Sequence, residues 1–278
     1  MKNIALIVHT CDRYKLLYPG FAYFFKKNWP YGDVDINYYF LTEVEEYQSS
    51  LFKNLKTGKG EWSHRLLNGL KQISEDYIIY MQEDMWLNKP VSGETINKII
   101  DYSLTKHTDL FKLSSNQVNR TNPTGELING LSVGLLDNAA SEYLMSHQIS
   151  IWKKSFLMEQ LKYKEHPWRN ERKGTKRLKK LNPKIYHIDL FSENNELPTN
   201  VNTDAKETGS YYTVSKNAAL REYANPFISE MKLDSDPNIR EYAQKLDHHL
   251  RNGITHDGQN APRKEDFFKK IKNYLSGK

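Results

Sequence analysis

Short apolar runs alternate with amphipathic segments along the first part of the chain. Residues 3–9 (NIALIVH), 34–41 (VDINYYFL) and 76–81 (DYIIYM) are nearly continuous apolar runs, the pattern of strands that are covered on both faces. An aromatic-rich helix is expected after the first run, and the apolar positions of residues 60–75 recur every three or four residues, which predicts an amphipathic helix. This alternation predicts an α/β fold with a mostly parallel sheet flanked by helices.

The second half of the chain continues the alternation less regularly. We expect helices at residues 93–106 and 153–164, and strands at residues 109–114 and 184–191. Residues 115–141 are rich in Asn, Gly, Ser and Thr, and this composition predicts a segment made mostly of loops.

Two polar segments and a charged C-terminal part complete the predicted organisation. Residues 166–174 (HPWRNERKG) are expected to form a turn, and residues 192–210 a long polar loop. From about residue 226 the sequence is charged, and its apolar residues have helical spacing. We therefore predict an α/β domain at residues 1–225 and a C-terminal helical extension at residues 226–278.

Composition limits the classes of protein that this chain can be. The hydrophobic fraction of 38% and the aromatic fraction of 12% are enough for a large core, and no apolar run reaches the ~20 residues of a membrane-spanning helix. Cys11 is the only cysteine, so an intrachain disulfide is excluded and a reducing compartment is expected. We expect a cytoplasmic protein of a bacterium or of a virus-infected host cell, with peripheral membrane contact left open.

The positive charge of the chain is concentrated in one place. The net charge is +6, and much of the excess lies in residues 169–180 (RNERKGTKRLKK). A basic balance suits anionic partners. Because the charge is local, it indicates an anion site or a solvated helix face rather than a protein built around nucleic acid.

Polar side chains follow the three predicted strands of the first half. Ligands in open α/β sheets bind beyond the carboxyl ends of the strands, and carboxylates gathered there suit Mg²⁺ or Mn²⁺, which commonly bridge to substrate phosphates. The residues are Thr10 and Asp12 after the first strand, Thr42 and Glu43 after the second, and Gln82, Glu83 and Asp84 after the third.

The segment GEWSHRLLNGLKQISEDYIIYMQEDMWL (60–87) resembles the core of the GT-A glycosyltransferases, which use nucleotide-sugars. In that family a helix precedes a buried strand that ends in an Asp-X-Asp motif or a related acidic motif, here a Glu-Asp variant in which Gln82 takes the place of the first Asp. The resemblance implies a GT-A-like domain and a Mn²⁺ or Mg²⁺ ion on the donor diphosphate. Asp84 would be the direct ligand, Glu83 would contact the metal or sugar hydroxyls, and His187 would complete the metal sphere.

Two further segments carry the resemblance. ALIVHTCDR (5–13) is similar to the family's strand and turn that receive the nucleoside, and SHQISIWKKSFLMEQLKYKEHPWRNE (146–171) resembles its acceptor-side region. Transfer with inversion needs a base within reach of the acceptor hydroxyl. By resemblance, Thr10, Asp12, Arg13 and Glu43 contact the nucleoside, Glu171 is the base with Glu165 as second candidate, Trp152 and Trp168 stack on the acceptor, and Arg172 and Lys173 hold the diphosphate.

The function that the resemblance implies is metal-assisted transfer of a hexose from a nucleotide-diphosphate sugar to a saccharide or glycoconjugate, as in polysaccharide biosynthesis. It favours an inverting over a retaining reaction and predicts no nucleic-acid partner. Two alternatives stay open. A nucleotidyltransferase could use a similar sheet, although HTCDRYKLL lacks the glycines of its usual basic loop. A non-enzymatic protein could bind nucleic acid through residues 169–180.

Overall fold

The computed structural model describes residues 2–200 and 209–260. It confirms the predicted α/β fold, a Rossmann-like arrangement with a mostly parallel sheet flanked by helices. The chain divides into two compact units, Met1–Val214 and Ser215–Lys278. The domain boundary expected after residue 225 stays a prediction.

The described part of the first unit contains eleven strands and five α-helices, together with a 3₁₀ helix at Asp12–Leu17. The strands are β1 (Ile4–His9), β2 (Asn37–Thr42), β3 (Lys53–Lys56), β4 (Tyr77–Gln82), β5 (Met85–Leu87), β6 (Leu110–Ser114), β7 (Thr121–Ile128), β8 (Leu131–Leu136), β9 (Ser150–Lys153), β10 (Ile185–Glu193) and β11 (Gly209–Thr213). The helices are α1 (Tyr18–Asn28), α2 (Trp62–Leu70), α3 (Gly93–Thr105), α4 (Lys154–Gln160) and α5 (Pro167–Leu181).

The order of the strands locates the place where a ligand is expected. The sheet runs β3-β2-β1-β4-β9-β6-β10-β11-β5, with β8 paired to β10 and β7 to β8. From β1 the chain moves outward to β2 and β3, and it then returns to the other side of β1 to form β4. The carboxyl ends of β1 and β4 therefore form a topological switch point, the usual ligand crevice of an open α/β sheet. His9 and Gln82 are paired across it.

Helices on both faces explain why the central strands are apolar throughout. Ala5 and Ile7 of β1 belong to one buried cluster with Leu66 and Leu70 of α2. On the other face, aromatic side chains of α1 pack towards β2, as in the Phe21–Phe40 pair, whose ring centroids are 6.2 Å apart. Every residue of β1 is buried, because neither face of this strand meets solvent.

Residues 115–141, expected to be mostly loop, contain the β7–β8 hairpin. Its turn is Asn129-Gly130, and both residues have positive φ angles of 49° and 79°. Asn-Gly is the dipeptide that two-residue hairpin turns favour, because both central residues need φ > 0. The expectation was therefore wrong here, although the sequence ELINGLSV carried the information.

The turn expected at residues 166–174 is also wrong, since Pro167 begins a helix of 15 residues. His166 is the N-cap residue, and its side chain accepts a hydrogen bond from the backbone N–H of Arg169. Proline suits the first helical position, where the missing N–H removes no intrahelical bond. The basic residues 169–180 consequently lie on a regular helix.

The second unit contains two short strands and two helices in its described residues, which agrees with helical patterning from residue 226. The elements are β12 (Ser215–Lys216), β13 (Ala219–Leu220), a 3₁₀ helix at Glu222–Ala224, α6 (Asn225–Met231) and α7 (Pro237–Asn252). The helical segment expected at residues 265–278 lies outside the described residues. Within residues 2–200 and 209–260, no helix combines the length and apolar character needed to cross a membrane.

Candidate active site at the carboxyl edge of the sheet

Glu83 and Asp84 form the two-residue turn that joins β4 to β5. The backbone of this turn is held from two sides. Trp86 donates a hydrogen bond from Nε1 to the carbonyl of Glu83 (3.0 Å), and the backbone N–H of Val214 donates to the carbonyl of Asp84 (2.9 Å). The two carboxylates therefore project from a fixed turn at the switch point.

The carboxyl group of Glu83 lies in an environment that disfavours its charge. Its side chain is buried, and burial raises its pKa well above the usual range. The neighbouring charge of Asp84 raises it further, and the guanidinium of Arg65 opposes both effects without cancelling them. A cation bound at the turn would relieve the repulsion between Glu83 and Asp84.

The donor set at this turn fits one kind of metal site. Among the described residues, no group of three or more His, Cys, Asp or Glu side chains is placed to hold a metal ion. Mg²⁺, however, is commonly bound by one or two carboxylates together with substrate phosphates and water. Glu83 and Asp84 therefore fit a cation that a bound diphosphate completes, and they do not form a metal centre by themselves.

His187 lies in β10, with both ring nitrogens hydrogen-bonded. Nε2 donates to the carbonyl of Ser114 (3.0 Å), and Nδ1 accepts from the side-chain amide of Asn200 (3.2 Å). Burial lowers the pKa of this imidazole, which favours its neutral form. A role as metal ligand stays a prediction, and it requires that one of these bonds be given up.

Asp12 and Glu43, predicted to contact the nucleoside, are brought together after β1 and β2. The carboxylate of Asp12 accepts hydrogen bonds from the backbone N–H groups of Glu43, Val44 and Glu45, each at 3.0 Å. The Glu43 carboxylate in turn accepts from the N–H of Asp12 (2.9 Å) and lies 3.4 Å from Nε of Arg65. These bonds fix the two loops against each other.

Thr10 and Arg13 flank this pair of loops. Thr10 is buried, its hydroxyl donates to the carbonyl of Leu41 (2.9 Å), and its own carbonyl accepts from Nη1 of Arg65 (2.7 Å). Arg13 is exposed at the start of the 3₁₀ helix. Of the two, Arg13 has the side chain that solvent and a ligand can reach.

A chain of neutral groups begins at Gln82, the residue before the acidic turn (Glu83 and Asp84). Gln82 donates from Nε2 to the hydroxyl of Tyr80 (3.0 Å), and that hydroxyl lies 3.4 Å from Nδ1 of His9. The ring of Trp62 lies between those of His9 and His147, at centroid distances of 5.6 and 4.4 Å. Burial lowers the pKa of His9 well below 6.5 and that of His147 to about 3, so both imidazoles are neutral at physiological pH.

Glu171, the predicted base, is half-buried on the inner side of α5. Its Oε1 accepts a hydrogen bond from the backbone N–H of His147 (2.9 Å). Burial raises the pKa of Glu171, the charge of Glu193 raises it further, and the ammonium group of Lys112 lowers it. A carboxyl group with a raised pKa is a stronger base at neutral pH than an exposed one.

The acidic turn and Glu171 both act electrostatically on Tyr80. Burial raises the pKa of this phenol well above its usual range, and the charges of Glu83, Asp84 and Glu171 raise it further. Hydrogen bonding and ring packing connect Glu171 to the same strand, because it accepts from the N–H of His147, whose ring centroid lies 5.7 Å from that of Tyr80.

Glu193 and Lys112 belong to the same region, and neither was predicted from the sequence as a site residue. Glu193 is the last residue of β10, accepts from the Thr213 hydroxyl (2.9 Å) and from the side-chain amide of Gln148, and has a pKa that burial raises. Lys112 is buried, donates to the Tyr143 carbonyl (2.7 Å), and has a pKa lowered by burial to about 7. The sequence marked Lys112 as a lone charge in the apolar run LFKLS. The strand predicted at residues 184–191 ends two residues too early, and the longer strand β10 places Glu193 at its carboxyl end.

Glu165 and Trp152 are both engaged within the protein. The Glu165 carboxylate is buried and accepts hydrogen bonds from the guanidinium of Arg177 (3.0 and 2.9 Å) and from the side-chain amide of Asn170 (2.8 Å). Trp152 is fully buried in the core, and its Nε1 donates to the hydroxyl of Ser150 (3.1 Å). Their predicted roles as base and acceptor platform stay predictions.

Trp168, Arg172 and Lys173 lie at the surface of α5. The side chain of Trp168 is 56% exposed and packs edge-on against the ring of His166, at a centroid distance of 6.0 Å. Arg172 and Lys173 are exposed. Their predicted contacts with acceptor and diphosphate stay predictions as well.

Comparison with known proteins gives similarities of fold. No family model and no curated protein matches the sequence. Among solved structures, the chain is similar to S. aureus TarS 1–349 in complex with UDP (14% identity, TM-score 0.49, 100% of this chain and 78% of that one). It is also similar to UTP-bound UGPase from Acinetobacter baumannii (8%, 0.47, 90% and 100%).

A longer S. aureus TarS structure gives 14% identity and a TM-score of 0.46 over 90% of this chain. The chain spans 43% of the length of that protein. At these identities and TM-scores, the similarities assign neither an activity nor a ligand to this chain.

Proposed function

We propose that this protein is a glycosyltransferase that moves a sugar from a nucleotide-diphosphate sugar to a hydroxyl group of a saccharide or glycoconjugate. The observation that carries the proposal is the position of the Glu83-Asp84 turn directly after β4 at the switch point, with Glu171 bound to His147, whose ring lies 5.7 Å from that of Tyr80 in β4. Two carboxylates on a fixed turn suit a divalent cation that also binds the diphosphate of a donor. The carboxyl group of Glu171, whose pKa is raised, suits the removal of a proton from the acceptor hydroxyl.

The donor side follows from the acidic turn and the loops after β1 and β2. Asp84, with Glu83 beside it, would hold Mn²⁺ or Mg²⁺ on the diphosphate, and the cation supplies neutralisation of the charge that develops on the leaving group. Asp12 and Glu43 position the loops of the nucleoside side. Arg13, exposed beside them, is the side chain that we assign to direct contact with the nucleotide.

The acceptor side follows from Glu171. Its carboxylate takes the proton of the acceptor hydroxyl as that oxygen attacks the anomeric carbon of the donor sugar. The bond between the anomeric carbon and the diphosphate oxygen breaks, and the nucleoside diphosphate leaves. A single displacement of this kind inverts the anomeric configuration. Glu171 is preferred to Glu165, because Arg177 and Asn170 already occupy the Glu165 carboxylate.

A thermal stability screen tests the donor class directly. UDP, GDP and their sugar conjugates are added with and without Mn²⁺, and the proposal expects a nucleoside diphosphate to raise the melting temperature more when Mn²⁺ is present. Release of the nucleoside diphosphate from the stabilising sugar nucleotide is then measured. Stabilisation by nucleoside triphosphates alone, with release of pyrophosphate, would instead identify a nucleotidyltransferase.

A further inference from the structure

The outer face of α5 carries an unusually dense row of positive charge. The helix holds seven Lys or Arg side chains and a single carboxylate, that of Glu171. Six of the cations are exposed, and at 100° per residue they fall within an arc of about 120° around the helix axis. These six residues are Arg169, Arg172, Lys173, Lys176, Lys179 and Lys180.

Carboxylates of the protein leave this row largely uncompensated. Within the described residues, one member of the row is paired with a carboxylate: Nζ of Lys173 lies 4.0 Å from Oε1 of Glu165. Arg169 and Lys179 donate instead to backbone carbonyls of Lys164 (3.2 Å) and Ala139 (3.0 Å), which carry no net charge. The row is thus a stripe of positive charge, about 17 Å long at a rise of 1.5 Å per residue.

Exposed apolar side chains flank the row at both ends. Trp168 is 56% exposed in the first turn of α5, and Leu181 is 60% exposed at its last residue. Tyr163, just before the helix, is 77% exposed, and Nζ of Lys164 lies 5.2 Å from its ring centroid. Aromatic side chains beside Lys and Arg are typical of segments that lie in the interface between membrane and water.

The inner face of the same helix anchors it to the first unit. Asn170, Gly174, Thr175 and Leu178 are buried, so the helix cannot turn its cations inward without losing this packing. A regular, anchored helix presents all six cations to a flat partner at once.

We propose that the outer face of α5 binds an anionic membrane surface, with the cations on lipid phosphates and Trp168 among the headgroups. A lipid surface accounts for both the charge and the apolar ends of the row. Nucleic acid would account for the charge and for stacking on Trp168, but it offers no partner to Leu181, the exposed aliphatic side chain at the other end of the row.

Sedimentation with vesicles tests this proposal on the full chain. Vesicles of phosphatidylcholine alone are compared with vesicles containing phosphatidylglycerol, at two salt concentrations. We expect partition into the anionic vesicles only, weakened by salt. The double variant Lys176→Gln/Lys180→Gln should lower the partition coefficient about tenfold or more, because each cation near an anionic surface contributes to binding. The matched control, Lys26→Gln/Lys89→Gln, removes the same charge from α1 and from the loop after β5.

Tryptophan fluorescence supplies a second readout. Trp29, Trp86 and Trp152 are buried and Trp62 is partly buried, so insertion should mainly shift the emission of the exposed Trp168 to shorter wavelength, and Trp168→Phe should remove that shift. Absence of partition into anionic vesicles, or partition that the Lys176/Lys180 pair does not change, would overturn the proposal. Binding to a duplex oligonucleotide without vesicle partition would show that the row serves nucleic acid instead.

Discussion

Carboxylates on the two sides of the candidate site have opposite surroundings. Asp12, on the side proposed to bind the nucleoside, receives three backbone N–H groups, and Glu43 meets a backbone N–H and Arg65. Glu83 and Glu171 are instead desolvated, and burial raises the pKa of both. The first pair accepts hydrogen bonds that hold the loops together. For the second pair, Arg65 beside Glu83, and the His147 N–H with Lys112 beside Glu171, compensate burial incompletely, so both pKa values stay raised. The same residue type thus stabilises the fold on one side and is available to a ligand on the other.

Asp84→Asn should have the largest effect, because it removes a charge from the turn that we propose holds the donor. We expect loss of sugar transfer by about a thousandfold or more, since metal-assisted charge neutralisation is worth several kcal/mol in the transition state. Release of nucleoside diphosphate measures this. Asp33→Asn, an exposed carboxylate before β2 at the opposite edge of the sheet, is the control and should keep full activity. Full activity in Asp84→Asn would mean that the acidic turn does not hold the donor.

Glu171→Gln should rank second. Removal of the base should slow transfer about a hundredfold or more while the donor still binds, because general-base catalysis contributes on that scale. Steady-state kinetics and donor-induced thermal stabilisation separate the two effects. Glu159→Gln, exposed on α4, is the matched control. Loss of donor binding with unchanged turnover of saturated enzyme would move Glu171 to the donor side.

Asp12→Ala should act mainly on stability, in contrast to the first two variants. Loss of a charged acceptor for three backbone N–H groups should lower the free energy of unfolding by about 2–3 kcal/mol. Urea denaturation measures the change. Glu46→Ala is the control, since its exposed pair with Lys56 at 3.5 Å should contribute under 1 kcal/mol. An unchanged stability together with lost donor affinity would place Asp12 on the ligand instead.

At neutral pH His147→Gln should give the smallest effect of the four, and its effect should appear as a change in the pH dependence of stability in acid. The pKa of His147 is about 3 in the folded protein, below the ~6.5 of an unfolded histidine, so the unfolded state binds its proton first as pH falls. Wild-type stability should therefore lose up to about 1.4 kcal/mol per pH unit from this group below pH 6.5. The variant should lose less over the same range. Because the carboxyl groups of Glu171 and Glu193, with raised pKa values, act in the opposite direction, the informative quantity is the difference between the two proteins.

The central sheet could be predicted from the sequence because its signals are local. The apolar runs around Ile4–His9 and Tyr77–Gln82 and the helical spacing in Trp62–Leu70 are properties of short windows, and the structure has strands and a helix there. The start of α5 was predicted as a turn, and residues 169–180 only as a possible helix face, because the inner face of this helix contains few apolar residues. Leu178 is buried there beside Asn170, Gly174 and Thr175, which do not produce a hydrophobic period.

The site was predictable in part for a similar reason. Glu83 and Asp84 follow an apolar strand directly, so their position at the sheet edge could be deduced. The proximity of Glu193 and Lys112 to Glu171 depends on the pairing of β10 with β6 and on the position of α5, and neither is encoded in a local pattern. Gln82 stands where the resembling family has an Asp. Its side-chain amide donates a hydrogen bond to the Tyr80 hydroxyl, which an Asp carboxylate could not do.

The pairing of β5 with β11 also affects the order in which the molecule assembles. Leu87 lies opposite Tyr211, and Met85 opposite Thr213, although most of the unit separates them along the chain. Contacts of such long sequence separation close a large loop and form slowly. A nascent chain can therefore align β1, β2 and β4 well before its acidic turn has a partner strand. Any chemistry that needs Asp84 in place must wait for the final strand of the first unit.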